Sequence, residues 1–190
     1  MPTRGRKNLT ACDFFFVTTT VINFLNIFKD SDACNILIRV IKYYKQIYKF
    51  EILAYVIMPS HFHWIVDINH KTGTISDIMR DIKKYSAWDI MDLIVKKHPK
   101  YKNEFADASK RYPDQKRKFW MKRFDDEVIR TEKMFWTKLN YIHNNPVKAG
   151  LVDRKEDYLY SSARNYIFND HSVIEVNTSL AGIQMKKLSR

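Results

Sequence analysis

The chain predicts an α+β fold: a ferredoxin-like (RRM-like) β-α-β-β-α-β core, an antiparallel sheet with helices on one face, followed by a helix that carries a tyrosine. Three observations predict it. Segments rich in aromatic and β-branched residues alternate with amphipathic helical periods in that order. One strand pattern contains His61 and His63, spaced i and i+2 within Met58-Pro59-Ser60-His61-Phe62-His63-Trp64-Ile65-Val66. A final helical stripe of Phe135, Leu139 and Ile142 runs into Asn145-Pro146.

Taken in order, residues 14–21 read as a first strand. After Asp30-Ser31-Asp32, the residues Ile36, Val40, Tyr43 or Tyr44, and Ile47 trace a helix. Residues 50–58 and 61–67 read as strands that meet at Pro59 and Ser60. Thr74-x-x-Asp77 is a capping-box start for a helix carrying Ile75, Ile78, Ile82 and Tyr85, with Arg80, Lys83 and Lys84 on its other side. Residues 96–118 read as a long basic loop, residues 124–130 as a short last strand, and the tyrosine helix follows. The expected organisation is a single domain over residues 1–190, with its core at about 14–152, the basic loop at 96–118 and an extension at 153–190.

An extended strand points residues i and i+2 to the same face, so His61 and His63 are expected side by side. Their apolar neighbours make unpaired imidazoles costly, and a divalent metal is the simplest compensating partner. Satisfied core or edge histidines remain the alternative for the pair taken alone. Tyr141 and Asn145, four residues apart, share a helix face off the apolar stripe. Because proline disfavours helix in the residue before it, Asn145 is expected in or just past the last turn. By themselves these two also read as a boundary tyrosine and a helix C-cap. His143, two residues after Tyr141, falls on the opposite side of the helix, where a solvated or partner-facing role is expected; His70, His98 and His171 read as surface residues.

Together, the string Val-Ile-Met-Pro-Ser-His-Phe-His-Trp-Ile-Val, then Phe119-Trp120, Val128-Ile129-Arg130 and Tyr-Ile-His-Asn-Asn-Pro-Val-Lys-Ala-Gly-Leu-Val, resembles the single-tyrosine HUH transposases, in particular the REP-associated tyrosine (IS200-like) branch. The resemblance extends from about Phe14 to Tyr166. It implies that His61, His63 and Asn145 hold a divalent metal, Mg²⁺ or Mn²⁺, and that Tyr141 attacks a phosphodiester of single-stranded DNA near a hairpin. The implied product is a 5′-phosphotyrosine with a free 3′-hydroxyl, able to rejoin without a nucleotide cofactor. The residue types agree: a phenol with a pKa near 10 is a poor nucleophile until the phosphate is polarised, and two imidazoles and an amide leave coordination positions open. Two positions depart from the pattern, Met121 where glutamine is frequent and Ser60 where asparagine is common. Relatives include both monomers and dimers whose sites are completed by the partner, so either assembly remains open.

Composition points to a polyanion independently. The chain has 33 basic and 21 acidic residues, a net charge of +12, and a pI near 9.6. Residues 96–118 hold nine basic residues against three acidic ones, half of that excess, interleaved with Tyr101 and Tyr112. Contact with phosphates and stacking on unpaired bases is one reading of this segment, and a solvated surface loop is the other. The expected DNA-binding residues are Arg80, Lys83, Lys84, Lys116, Arg117, Lys118, Lys138 and Lys148. The basic Thr3-Arg4-Gly5-Arg6-Lys7 start is a weaker candidate for contact with a hairpin. Only four glycines occur and no phosphate-binding glycine loop. Cys12 and Cys34 lack metal spacing, and neither signal peptide nor membrane span is present. The expected setting is therefore the bacterial cytoplasm, nucleoid-associated when bound to DNA, with no membrane partner. The competing function is a non-catalytic protein binding hairpin DNA or RNA on the same scaffold; an RNA preference would favour an RRM-like module.

Overall fold

The computed structural model describes residues 14–110 and 115–179. Thr3 to Lys7, Cys12, residues 111–114 of the basic segment and the tail from residue 180 lie outside the described residues.

Four strands, β1 (Phe14–Thr20), β2 (Glu51–Met58), β3 (His61–Asp67) and β4 (Asp125–Val128), form an antiparallel sheet in the order β2-β3-β1-β4. With α1 (Ser31–Tyr48) and α2 (Ile75–Lys97) between them, the elements follow the expected β-α-β-β-α-β order, and the histidine strand is central. The remaining helices are α3 (Tyr101–Asp107), α4 (Glu132–Lys148) and α5 (Ala163–Phe168).

Alternation along the strands separates two cores. Phe15, Val17, Phe62, Trp64 and Val66 pack with α1 and α2. Phe16, Ala54, Val56, Met58 and Ile65 face the other way, against Phe135, Leu139 and Ile142 of α4. A bulge between Ile52 and Ala54 turns both Leu53 and Ala54 toward α4. The tyrosine helix thus lies across the sheet from α1 and α2, on the face that His61 and His63 share.

Local signals account for most boundaries. Asp30 caps α1 by accepting from the Asp32 and Ala33 N–H groups at 2.9 and 3.2 Å. Thr74 and Asp77 form the capping box of α2. The buried stripe of α1 is Cys34, Leu37, Ile41, Tyr44 and Tyr48, whereas Tyr43 and Ile47 are exposed. Of the residues that trace the helix in the sequence, Val40 and Tyr44 are buried and Ile36 packs against the core, whereas the most deeply buried row runs through Cys34, Leu37 and Ile41, where α1 meets α2 and the sheet.

Residues 96–118 are not one long loop. Lys96 and Lys97 finish α2, and α3 anchors the segment through fully buried Phe105, whose carbonyl accepts from Lys118 N–H at 2.9 Å. The C-terminal extension returns along the outer edge of β2. Ile57 N–H donates to Tyr160 O, and Ser162 N–H to Tyr55 O, each at 2.9 Å, while Asn177 N–H donates to Ile52 O at 2.9 Å. Backbone groups that would otherwise template pairing with another chain are occupied in this way.

Candidate active site

His61 and His63 stand together as the strand period requires, with ring centroids 4.7 Å apart. Each imidazole has a hydroxyl at Nδ1: Thr18 Oγ1 is 2.7 Å from His63, and Ser60 Oγ is 3.1 Å from His61. Thr18 is the cross-strand partner of His63 in the β1–β3 register. In the neutral tautomer whose Nδ1–H donates to the hydroxyl, Nε2 keeps its lone pair, the arrangement that orients a metal-ligating histidine. His63 is 5% exposed. Burial, then the nearby charges of His61 and Lys138, lower its pKa to about 3; burial lowers that of His61 as well. Both rings are therefore neutral at ordinary pH, as ligation demands.

Tyr141 reaches the pair from its own chain. Its hydroxyl lies 3.5 Å from His63 Nε2 and its ring centroid 5.2 Å from that of His63. Phe16 stacks on His63 at 5.6 Å and meets the edge of Tyr141 at 6.0 Å, forming an apolar wall between strand and helix. Tyr141 is 42% exposed, so a strand in solvent has access to the hydroxyl. Asn145 follows one turn later and is half-buried. The helix continues through Pro146 to Lys148, placing Asn145 at the start of the last turn. Proline removes only its own N–H bond, and the carbonyls of Asn145 and Pro146 are taken by the N–H groups of Ala149 and Leu151.

Among the described residues, no group of three or more His, Cys, Asp or Glu gathers to hold a metal ion. Among the described residues, a metal on the histidine pair would take its next protein ligand from another residue type, and the Asn145 amide oxygen is of the hard class that suits Mg²⁺ or Mn²⁺.

The expectation for His143 is corrected. It is buried, its Nε2 is 2.8 Å from Ser162 Oγ, and its ring packs on Tyr166. The same Ser162 Oγ accepts from Tyr55 N–H at 3.0 Å. Helical geometry placed His143 opposite Tyr141 correctly, but the returning C-terminal segment covers that side. His171 is likewise engaged, accepting from Val176 N–H at 3.3 Å; His98 is exposed.

Of the eight cations expected to contact DNA, Lys138 alone stands beside the histidines. Its ammonium sits 4.5 Å over the Phe16 ring and 2.5 Å from Glu127. Lys148 is exposed at the end of α4. The others cluster on or near α2, on the far face of the sheet. Arg80 is paired with Asp77 and Asp81 at 2.7 and 2.9 Å, and Arg117 with Asp92 at 2.5 Å over Trp88. Lys84 and Lys116 are exposed, whereas Lys118 is buried. Lys83 is not the solvent-facing cation its helical position predicted: it turns inward to donate to Met121 O at 2.7 Å. Thr18, Ser60 and Phe16 were missed as parts of the site. Only strand register could have disclosed Thr18 and Phe16, because nothing local distinguishes them from other strand residues.

The sequence profile described as "Transposase IS200 like" matches residues 17–145, and the chain belongs to that family. It is similar to a candidate REP-associated tyrosine transposase of Haemophilus influenzae, 29% identical over 115 residues, which are 60% of each chain. It is also similar to the REP-associated tyrosine transposase of Escherichia coli K12, 28% identical over 113 residues, 60% of this chain and 54% of that one. The matches thus span little more than half of these relatives' lengths. In three dimensions it shares the fold of a REP-associated tyrosine transposase bound to a REP hairpin, with a TM-score of 0.63, 23% identity, and coverage of 87% of this chain and 92% of that one.

Proposed function

We propose that the protein is a divalent-metal-dependent nickase and strand transferase for single-stranded DNA, acting beside a hairpin of the REP or transposon-end kind. The observation that carries this reading is the Tyr141 hydroxyl 3.5 Å from Nε2 of a histidine whose neighbour shares its face. Tyr141 Oη attacks the scissile phosphorus; its bond to phosphorus forms as the bond to the 3′-oxygen breaks. The phenol proton passes through solvent to the departing 3′-oxygen, leaving a 5′-phosphotyrosine. Attack by another 3′-hydroxyl reverses the step and joins strands. His61, His63 and Asn145 would hold Mg²⁺ or Mn²⁺, whose charge would polarise the phosphate and stabilise the charge that develops on it. Lys138 adds a fixed positive charge beside the same phosphate.

The test is a denaturing gel of the protein with Mn²⁺ or Mg²⁺ and end-labelled hairpins from sequences flanking its own gene. A metal-dependent covalent band is expected, absent for Tyr141→Phe although that variant still binds the hairpin. Full cleavage by a His61→Ala, His63→Ala double variant would rule out the metal role. Tight binding without an adduct in any metal would instead select the non-catalytic hairpin-binding reading.

A further inference from the structure

The edge strand of the sheet brings acidic residues to the face where a polyanion would bind. Phe16 stacks on His63 and Thr18 bonds its Nδ1, so both of these β1 side chains point to the histidine face. β4, a four-residue strand at the end of the sheet order, sets Glu127 opposite Phe16 and Asp125 opposite Thr18. Cross-strand partners share a face, which puts both carboxylates on the histidine side. In a chain with a net charge of +12, two acids placed there repel the phosphates that the rest of the charge attracts.

Glu127 differs from Asp125 in what it holds. Its carboxylate pairs with the Lys138 ammonium at 2.5 Å, the two side chains being 52% and 25% exposed. Lys138 precedes Tyr141 by three residues, so the two are neighbours on one side of α4. The same ammonium sits 4.5 Å from the centroid of the Phe16 ring, and that ring also meets His63 and Tyr141. A lysine's flexible stem would otherwise sweep a wide arc. Carboxylate and ring together give the charge one position, and the N–H groups not used by Glu127 stay available to an incoming oxygen. As a stabilising contact a half-exposed ion pair contributes little, so its consequence is where it keeps the ammonium.

We propose that Glu127 is a positioning residue for strand cleavage: it holds Lys138 over Phe16, so that a positive charge is already in place beside the phosphate that Tyr141 attacks. The inference rests on the nicking function proposed above and gives the edge strand a part in it. Charge fixed in advance stabilises a transition state without the reorganisation that a mobile side chain requires. The accompanying loss is in binding, because the carboxylate repels the DNA strand equally before and during the reaction. Affinity and rate should therefore respond to Glu127 in opposite directions.

The test follows formation of the covalent adduct in a single turnover, using the full chain, Mn²⁺ and end-labelled hairpins from sequences flanking its own gene over a range of protein concentrations. Maximal rate and hairpin affinity are then read separately. Glu127→Gln should lower the maximal rate roughly tenfold while tightening affinity about twofold. Glu127→Asp, which keeps the charge, should recover most of the rate. Asp125→Asn removes an equal charge from the same face, so it should tighten affinity alike and leave the rate unchanged. Lys138→Met should slow the reaction at least as much as Glu127→Gln, and adding Glu127→Gln to it should slow it no further. An unchanged maximal rate in Glu127→Gln, equal slowing by Asp125→Asn, or additive effects of Glu127→Gln and Lys138→Met would overturn the positioning role and leave the nicking reading standing. No adduct from the unmodified chain would overturn both.

Discussion

His63 is held by a hydroxyl on one ring nitrogen, a phenyl ring on its face and a phenol near its other nitrogen. Thr18→Val removes the hydroxyl while keeping the shape, so metal affinity should fall by roughly 10- to 100-fold with the fold intact. Calorimetric titration with Mn²⁺ checks this, and unchanged affinity would remove Thr18 from the site. His143 makes a different prediction because it is buried for structure. Its pKa is lowered to about 4, chiefly by burial and then by Lys155, from an ordinary 6.5. Between those values the unfolded chain binds a proton that the folded chain refuses, so its contribution to stability is present above 6.5 and is lost on acidification through the window. The slope is about 1.4 kcal/mol per pH unit for each such histidine. His63, lowered to about 3, acts in the same direction. Urea unfolding at successive pH values should show stability falling below pH 6.5, less steeply for His143→Gln. An equal slope in the variant would contradict the assignment.

At the scale of elements, the site depends on how α4 lies on the sheet. Leu139 and Ile142 flank Tyr141 in sequence and are buried against the sheet face formed by Ala54, Val56 and Ile65. Leu139→Ala should cost about 2–5 kcal/mol. It should also slow adduct formation more than it weakens hairpin binding, because the cavity lies under the turn that aims the phenol. Denaturant unfolding and single-turnover cleavage separate the two effects; loss of binding in proportion to cleavage would argue against this positioning role. The returning segment at residues 160–162 acts on the same helix from the other side. Through Ser162 it ties His143 of α4 to the β2 backbone at Tyr55. The tyrosine helix is therefore clamped between an apolar face and a hydrogen-bonded edge.

For the whole molecule, the cores are built without the histidine pair, and both imidazoles already have hydroxyl partners. Removing metal with EDTA should therefore abolish the adduct and leave the melting temperature unchanged. A large drop would instead make the ion part of the folding energy, as in structural zinc sites. Among the described residues, cations stand on both faces of the sheet: Lys138 beside the histidines, and Arg80, Lys83 and Lys84 on α2 across the sheet.

Strand and helix periods, the Thr74 capping box and the i, i+2 histidines are local signals, and they determined the order of elements and the shared face of His61 and His63 without reference to the rest of the chain. The i, i+4 spacing likewise placed Asn145 one turn beyond Tyr141. What only the tertiary structure decided depends on segments distant in sequence. Register brought Thr18 to His63, contact with α2 chose the buried stripe of α1, and Phe105 converted part of a basic loop into an anchored helix. The C-terminal segment buried a histidine that helical geometry had left facing solvent. Periodicity is a property of neighbouring residues, whereas a partner's identity is set by which distant surfaces bury apolar area together, and a single chain's order does not encode that locally.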